Sequence, residues 1–187
     1  MNSRRRVNSD VRRLTYMKRN HVSQIDSLIR RALKDFVNDL GDCKWFGKEH
    51  DYVNRFAHGY LVPRCSPRSS FLRHPTQIGI EVAVRQNLFT APAARKDLVL
   101  WPQPWMSCWN RHRRPVHWPT AVMEWKIVLT KRPLRINTHD QKWLGDFAQS
   151  PYRVGFSVTL NRSESPTERI LVSRFHRGRV IDEWLRL

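Results

Sequence analysis

Two acidic residues and a lysine lie inside segments of the chain that are otherwise apolar. Asp97 belongs to residues 96–101, and Glu124 and Lys126 belong to residues 120–129. Both segments are short and rich in branched and aromatic side chains, which predicts buried β-strands. Side chains alternate between the two faces of a strand, so Glu124 and Lys126 are expected on one face. Because burying a charge costs several kcal/mol unless it is paired or binds a metal, these residues indicate a functional site.

These residue types suit hydrolysis of a phosphodiester bond. The reaction builds negative charge at phosphorus and expels an alkoxide, and a divalent metal stabilises that charge and lowers the pKa of a bound water. Mg²⁺ prefers hard oxygen ligands, and Asp97 and Glu124 on adjacent strands can supply two carboxylate oxygens. Two other interpretations stay open. Asp97 and Lys126 can form a plain cross-strand ion pair, and Glu124 can face solvent on a half-exposed sheet.

The composition points to a polyanionic partner. The 187 residues include 34 Lys and Arg against 16 Asp and Glu, which gives a net charge of +18. This excess indicates nucleic acid, with an anionic membrane surface as the alternative. No apolar run approaches the roughly 20 residues that span a bilayer, and no hydrophobic stretch follows the Arg-rich N-terminus as it would in a secretory signal. We therefore expect no membrane association.

The cysteines give little support to a disulfide framework or to a structural zinc. There are three, Cys43, Cys65 and Cys108, and they are widely spaced. An odd number without paired spacing argues against disulfides, and no Cys-x-x-Cys or His-x-x-x-His pair supports zinc. Reduced thiols in a cytoplasmic protein are the simplest expectation.

The apolar pattern predicts an α/β domain behind a basic arm. Residues 1–20 contain seven Arg and Lys and are expected to form a flexible arm, while residues 21–187 form a single domain. Helices are predicted at 23–40, at 48–60 and from 137 or 138 to 149, and strands at 77–86, 96–101, 120–129, 152–160 and 169–175, with 180–187 as a short strand or helix. This order indicates a mixed central sheet flanked by helices.

The acid in one strand, the Glu-x-Lys on its neighbour and the glutamate on the helix before them together resemble the PD-(D/E)xK nuclease superfamily. Glu-x-Lys alone is a weak signal, so its weight comes from the strand context, from the acid 27 residues upstream and from the basic charge. The resemblance implies a restriction-endonuclease-like α-β-β-β-α-β core over about residues 48–175, with an extra N-terminal helix. It also makes a homodimer possible. Lys96 departs from the pattern, because proline is frequent at that position.

The resemblance also implies a role for each site residue. Asp97, Glu124 and the backbone carbonyl of Trp125 would hold Mg²⁺ or Mn²⁺. Lys126 would orient the attacking water and stabilise the transition state, and Glu49 would bind a second metal or its water. Glu49 has an alternative explanation, since acids at a helix start interact favourably with the helix dipole. The implied function is a metal-dependent nuclease that acts on DNA more readily than on RNA.

Aromatic and basic residues outside this group are candidates for nucleic-acid contact. They fall in a proline-rich loop over residues 102–119, where they can stack on bases or bind phosphates, and in a basic cluster near the C-terminus. The candidates are Trp105, Trp109, Arg111, Arg113, Arg114, Arg174 and Arg177. The same residues also fit a packed loop and a solvated surface. If only these residues act, the protein is a non-catalytic nucleic-acid-binding protein, which is the alternative function.

Overall fold

The structure, a computed structural model, describes residues 3–40, 47–69, 71–85, 93–109, 112, 117–135, 140–163 and 166–187, and for residues 3–20 it describes the backbone alone. The helices of these segments are α1 (Ser3–Leu40), α2 (Glu49–Phe56) and α3 (Gln141–Phe147). The strands are β1 (Ile78–Val84), β2 (Ala94–Leu100), β3 (Ala121–Val128), β4 (Val154–Asn161), β5 (Ile170–His176) and β6 (Arg179–Arg186).

The six strands form one mixed sheet in which they lie in the order of the sequence. Neighbouring strands are antiparallel, except that β3 and β4 run parallel and pair along their full length. α3 lies between these two parallel strands in the chain, as a parallel pair requires a crossover connection. The prediction of an α/β fold with a mixed central sheet is therefore confirmed, and the elements follow one another in the predicted order.

Helices cover both faces of the sheet and bury two groups of apolar side chains. On one face, α1 and α2 pack against β3, where Phe36, Phe56 and Trp125 have ring centroids 5.2–5.8 Å apart. On the other face, α3 packs Leu144 and Phe147 against a smaller group of residues that includes Val99 and Val122. Strand alternation explains the division, because Val122 and Trp125 are an odd number of residues apart in β3.

The first helix is longer than the sequence predicts. Its start was expected at Ser23 after a flexible arm, but the helical backbone begins at Ser3. Residues 3–20 contain neither glycine nor proline and are rich in arginine, a good helix former. No helix-breaking residue therefore interrupts the helix in this segment. Among the helices of the described segments, none combines the length and apolar character that crossing a membrane requires.

The second helix holds the residue that reaches the candidate site. It begins where the sequence predicts, and the Asp51 carboxylate accepts a hydrogen bond from the Lys48 backbone N–H at 2.7 Å, which caps the first turn. After Phe56 the helix continues as one π-helical turn, Ala57–Leu61. Such turns are rare and often lie near functional sites. Here the turn keeps Tyr60 against Phe36, with ring centroids 5.2 Å apart.

β1 changes face in the middle, which simple alternation does not predict. Alternation would place Ile78, Ile80, Val82 and Val84 on one side of the sheet. In the structure Ile78 and Ile80 pack with α1 and α2, whereas Val82 and Val84 pack with α3. Glu81 lies between the two pairs with φ of +53°, and this left-handed conformation rotates the strand.

Candidate active site

The candidate site lies where β2 and β3 separate. Their ladder of hydrogen bonds ends at the pair Leu98–Met123. Beyond this pair, two side-chain carboxylates accept hydrogen bonds from backbone N–H groups on the edge of β3. Asp97 Oδ2 accepts the Trp125 N–H at 2.7 Å, and Glu49 Oε2, from the start of α2, accepts the Ile127 N–H at 3.2 Å. The gap between the strands therefore places two acidic side chains next to each other along one strand edge.

The carboxyl groups of Asp97 and Glu124 lie close enough to influence each other's protonation. Burial raises the pKa of Asp97, and the nearby Glu49 carboxylate raises it further, while the Trp125 N–H, Glu124 and Lys96 act in the opposite direction. Two carboxyl groups this close cannot both ionise without repulsion, so one of them holds a proton more tightly than an isolated acid does.

Glu124 is the more buried of the two acids, with an exposed fraction of 6%. Its pKa is raised to about 8, chiefly by burial and also by the nearby Asp97 and Asp140 carboxylates. Lys96 lowers it, because the Lys96 Nζ lies 2.5 Å from Glu124 Oε1. This carboxyl group therefore holds its proton more tightly than a solvent-exposed glutamate does.

Lys96 is a member of the site that sequence reasoning missed. It is 3% exposed, and its Nζ also lies 4.0 Å from the centroid of the Trp143 ring on α3. Leu98, two residues later in β2, packs with α1 and α2 instead, so β2 changes face around Asp97 just as β1 does around Glu81. The signal in the sequence was a lysine within an apolar strand, directly before the candidate acid.

Lys126 lies at the exposed end of the site. It shares a face with Glu124, because the pairing of β3 with β4 runs without a break from Ala121 to Val128. Its Nζ is 4.0 Å from Glu49 Oε2, and more than half of its side chain is exposed. Lys126 thus borders the carboxylates but is not buried among them, which leaves the amine accessible to a bound substrate.

A small cavity opens beside Asp97. It has a volume of about 140 Å³ and is lined by Glu49, His50, Val53, Ile80, Glu81 and Asp97. The Glu81 carboxylate pairs with Arg95 at 3.1 Å, and both side chains are largely exposed. Glu81 is thus an exposed residue of β1 that also borders the cavity.

The residues present fit a hard divalent cation. Asp97 and Glu124 offer carboxylate oxygens, and the Trp125 carbonyl faces the same gap as its N–H, because both groups of a residue point to one edge of a strand. Among the described residues, no three His, Cys, Asp or Glu side chains are arranged as a metal cage. Mg²⁺ is usually held by one or two carboxylates and keeps several waters, so this donor set is sufficient.

The aromatic and basic candidates of the loop over residues 102–119 are only partly described. Arg111, Arg113 and Arg114 lie outside the described residues. Trp105 is 78% exposed, and its ring centroid is 5.1 Å from that of His74, so it remains available for stacking. Trp109 is half-buried and packs with the residues beneath α3, which favours a structural role.

The two arginines near the C-terminus differ in their surroundings. Arg174 is buried, and its Nε and Nη2 donate to Oδ1 and Oδ2 of Asp26 on α1, each at 2.7 Å. This bidentate pair gives Arg174 a structural partner, and phosphate contact by Arg174 stays a prediction. Arg177 lies exposed in the turn between β5 and β6 and remains a candidate.

Comparison of the chain with protein families, curated proteins and solved structures finds no match. The functional argument therefore rests on the residues and the geometry of the site.

Proposed function

We propose that the protein is a metal-dependent nuclease that hydrolyses phosphodiester bonds, with DNA as the substrate. The observation that supports it most is the grouping of acids where β2 and β3 separate. Asp97 and Glu49 accept backbone N–H groups of β3, Glu124 lies near Asp97, and the Lys126 amine is 4.0 Å from Glu49. A stable sheet has no need of a buried glutamate and a half-buried aspartate side by side at the point where its strands separate. Their cost is understandable if the acids bind a cation.

The resemblance to the PD-(D/E)xK superfamily gives the proposal its reaction class. The order α2-β1-β2-β3-α3-β4 follows the core that the resemblance implies, and the net charge of +18 suits a polyanionic substrate. The preference for DNA comes from the resemblance alone, so RNA is included among the test substrates.

Each side chain has a defined task in this proposal. Asp97, Glu124 and the Trp125 carbonyl hold Mg²⁺ or Mn²⁺, which supplies charge stabilisation at the phosphate and a water of lowered pKa. Lys126 extends its amine toward the scissile phosphate and stabilises the negative charge that develops there. Glu49 fixes the edge of β3 through the Ile127 N–H and keeps a second carboxylate oxygen for a water.

The test is single-turnover cleavage of double-stranded DNA, single-stranded DNA and RNA with Mg²⁺. Lys126→Ala is expected to reduce the rate about 100-fold, which is the effect of losing one group that stabilises the transition state. Asp97→Asn is expected to abolish cleavage. Binding, measured separately with Ca²⁺, should change little in either variant, because phosphate contacts elsewhere supply most of the affinity.

Two exposed residues provide matched controls. Lys131→Ala removes the same charge from the loop after β3, and Asp182→Asn neutralises an exposed acid on β6. Both should cleave at the wild-type rate. A Lys126→Ala or Asp97→Asn protein that cleaves as fast as the controls would place the activity elsewhere.

A second candidate function is non-catalytic nucleic-acid binding, and one observation favours it. The Lys96 amine already lies 2.5 Å from Glu124 Oε1, so Glu124 has a positively charged partner without a bound cation. Titration of Mn²⁺ into the protein separates the two functions. The nuclease binds Mn²⁺ with release of a proton and loses this binding in Asp97→Asn, whereas a pure binding protein shows neither effect.

A further inference from the structure

A second cavity lies at the other end of the sheet, away from the carboxylates. It has a volume of about 280 Å³, and its lining includes His21, His117, Trp118, Thr120, Ser150 and Arg153. Thr120 directly precedes β3, four residues before Glu124. At about 3.3 Å per residue, this places the cavity on the order of 13 Å from the buried acid. The cavity is therefore separate from the candidate active site.

The guanidinium group of Arg153 is the unusual feature of this cavity. It lies over the Trp118 ring at 4.6 Å and over the Phe147 ring at 5.4 Å. Burial lowers its pKa, and no carboxylate among the described residues offsets this effect. None of the residues that line the cavity is acidic. Arg153 is thus a partly desolvated cation without a counter-ion in the described part of the chain.

Such an arrangement is costly unless a ligand completes it. Buried charges in proteins are normally paired, and the buried Arg174 of β5 has Asp26 as its bidentate partner, whereas the half-buried Arg153 has no such carboxylate among the described residues. Contact with two aromatic rings stabilises the Arg153 guanidinium but does not by itself supply acceptors for its N–H donors. A planar guanidinium binds oxyanions through two parallel hydrogen bonds.

The surroundings of Arg153 favour an oxyanion over an uncharged ligand. The lining of the cavity also includes His21 and His117, which carry ring nitrogens, and Thr120, which carries a hydroxyl group. The Arg153 backbone is held in place, because its N–H donates to the Ser150 carbonyl at 3.2 Å and its carbonyl contacts His176 Nδ1 at 2.9 Å. Pockets for drug-sized ligands are about 300–1,000 Å³, so this cavity suits a smaller group.

We propose that this cavity is a phosphate-binding site in which the Arg153 guanidinium, flanked by Trp118 and Phe147, holds the oxyanion. The phosphate is either free or part of a nucleotide. The proposal does not depend on the nuclease function, since it uses none of the same side chains.

The first test follows the side-chain Nε–H resonance of Arg153 by NMR while inorganic phosphate is added to the full-length protein. Arg153→Lys, which lacks this resonance, provides the assignment. A saturable shift of the Arg153 signal is expected. A resonance that does not move with phosphate would overturn the proposal, and this result needs no destabilising variant.

The second test is calorimetric titration with inorganic phosphate. Arg153→Gln is expected to weaken binding about ten-fold or more, as for the loss of charge-assisted hydrogen bonds. His117→Ala, an exposed residue at the cavity, should weaken it less and keeps the test valid if Arg153→Gln does not fold. Arg179→Gln removes one exposed positive charge from β6 and serves as the control. Equal affinities for the wild type, His117→Ala and the control would show that phosphate binds only through the general positive charge.

Three ligands distinguish the source of the phosphate. Inorganic phosphate, a nucleoside 5′-monophosphate and a short single-stranded oligonucleotide are compared in the wild type and in His117→Ala. Tighter binding of the monophosphate than of inorganic phosphate assigns the site to a terminal phosphate of a nucleotide. If His117→Ala weakens the binding of the oligonucleotide but not of the other two ligands, the site binds an internal phosphate of the nucleic acid. A Lys126→Ala protein should bind all three as the wild type does, so a failure of the nuclease proposal leaves this result readable.

Discussion

Replacement of Glu124 by glutamine should remove a large part of the pH dependence of stability. In the folded protein the pKa of Glu124 is raised from 4.5 to about 8, first because the side chain is buried and then because Asp97 and Asp140 lie near it. The folded state therefore binds the proton more tightly than the unfolded state does. Stability from this group is fully present below pH 4.5 and is lost as the pH rises through 8.

The size of the effect follows from the difference between the two pKa values. Each pKa unit corresponds to about 1.4 kcal/mol, so the shift from 4.5 to about 8 sets a ceiling of about 5 kcal/mol. Structural relaxation and water penetration reduce the real cost of buried charge. We therefore expect the wild type to lose about 2 kcal/mol between pH 5 and pH 9 through this group. Glu124→Gln stays neutral at both pH values and lacks this loss.

The assay is urea unfolding at pH 5 and pH 9 with a chelator present, so that no metal occupies the site. The free energy of unfolding of Glu124→Gln should approach that of the wild type at pH 5 and exceed it at pH 9. Asp182→Asn, an exposed acid on β6, is the control and should show the wild-type dependence. If Glu124→Gln and the wild type lose the same free energy between the two pH values, Glu124 is ionised and solvated in the folded protein, and the reasoning is wrong.

Two further substitutions test the packing that supports the site. Arg174→Ala leaves Asp26 as a partly buried carboxylate without its partner and should lower the free energy of unfolding by about 3 kcal/mol; Arg177→Ala, in the neighbouring exposed turn, should leave it unchanged. Phe36→Ala creates a cavity against Phe56 and Trp125 and should cost about 3–5 kcal/mol in chemical denaturation. A loss below about 1 kcal/mol in either variant would contradict the contacts described.

The sequence predicts the elements well because their signals are local. Short apolar runs and helical stripes predicted the three helices and five of the six strands of the described segments, and the uncertain C-terminal segment, residues 180–187, forms β6. The start of α1 was missed, because an arginine-rich segment without glycine or proline fits both a flexible arm and a helix. Charge composition alone does not separate these two states.

The sequence also singles out Asp97 and Glu124, but not the contacts that decide their chemistry. Glutamate in an apolar strand is visible in the sequence, whereas its pairing with Lys96 depends on β2 changing face. Strict alternation would have directed Lys96 away from α3. The bidentate partner of Arg174 lies 148 residues away on α1, and no local pattern predicts such a contact.

The left-handed conformation of Glu81 also has a consequence for how the folded protein opens. Since Ile80 packs in the core beneath α1 and α2 and Val82 in the core beneath α3, one continuous strand is shared by both. Opening of the core beneath α3 therefore disturbs hydrogen bonds of β1 that also hold the core beneath α1 and α2. Amide hydrogens of β1 on either side of Glu81 should therefore exchange with solvent with similar free energies of opening, as parts of one cooperative unit.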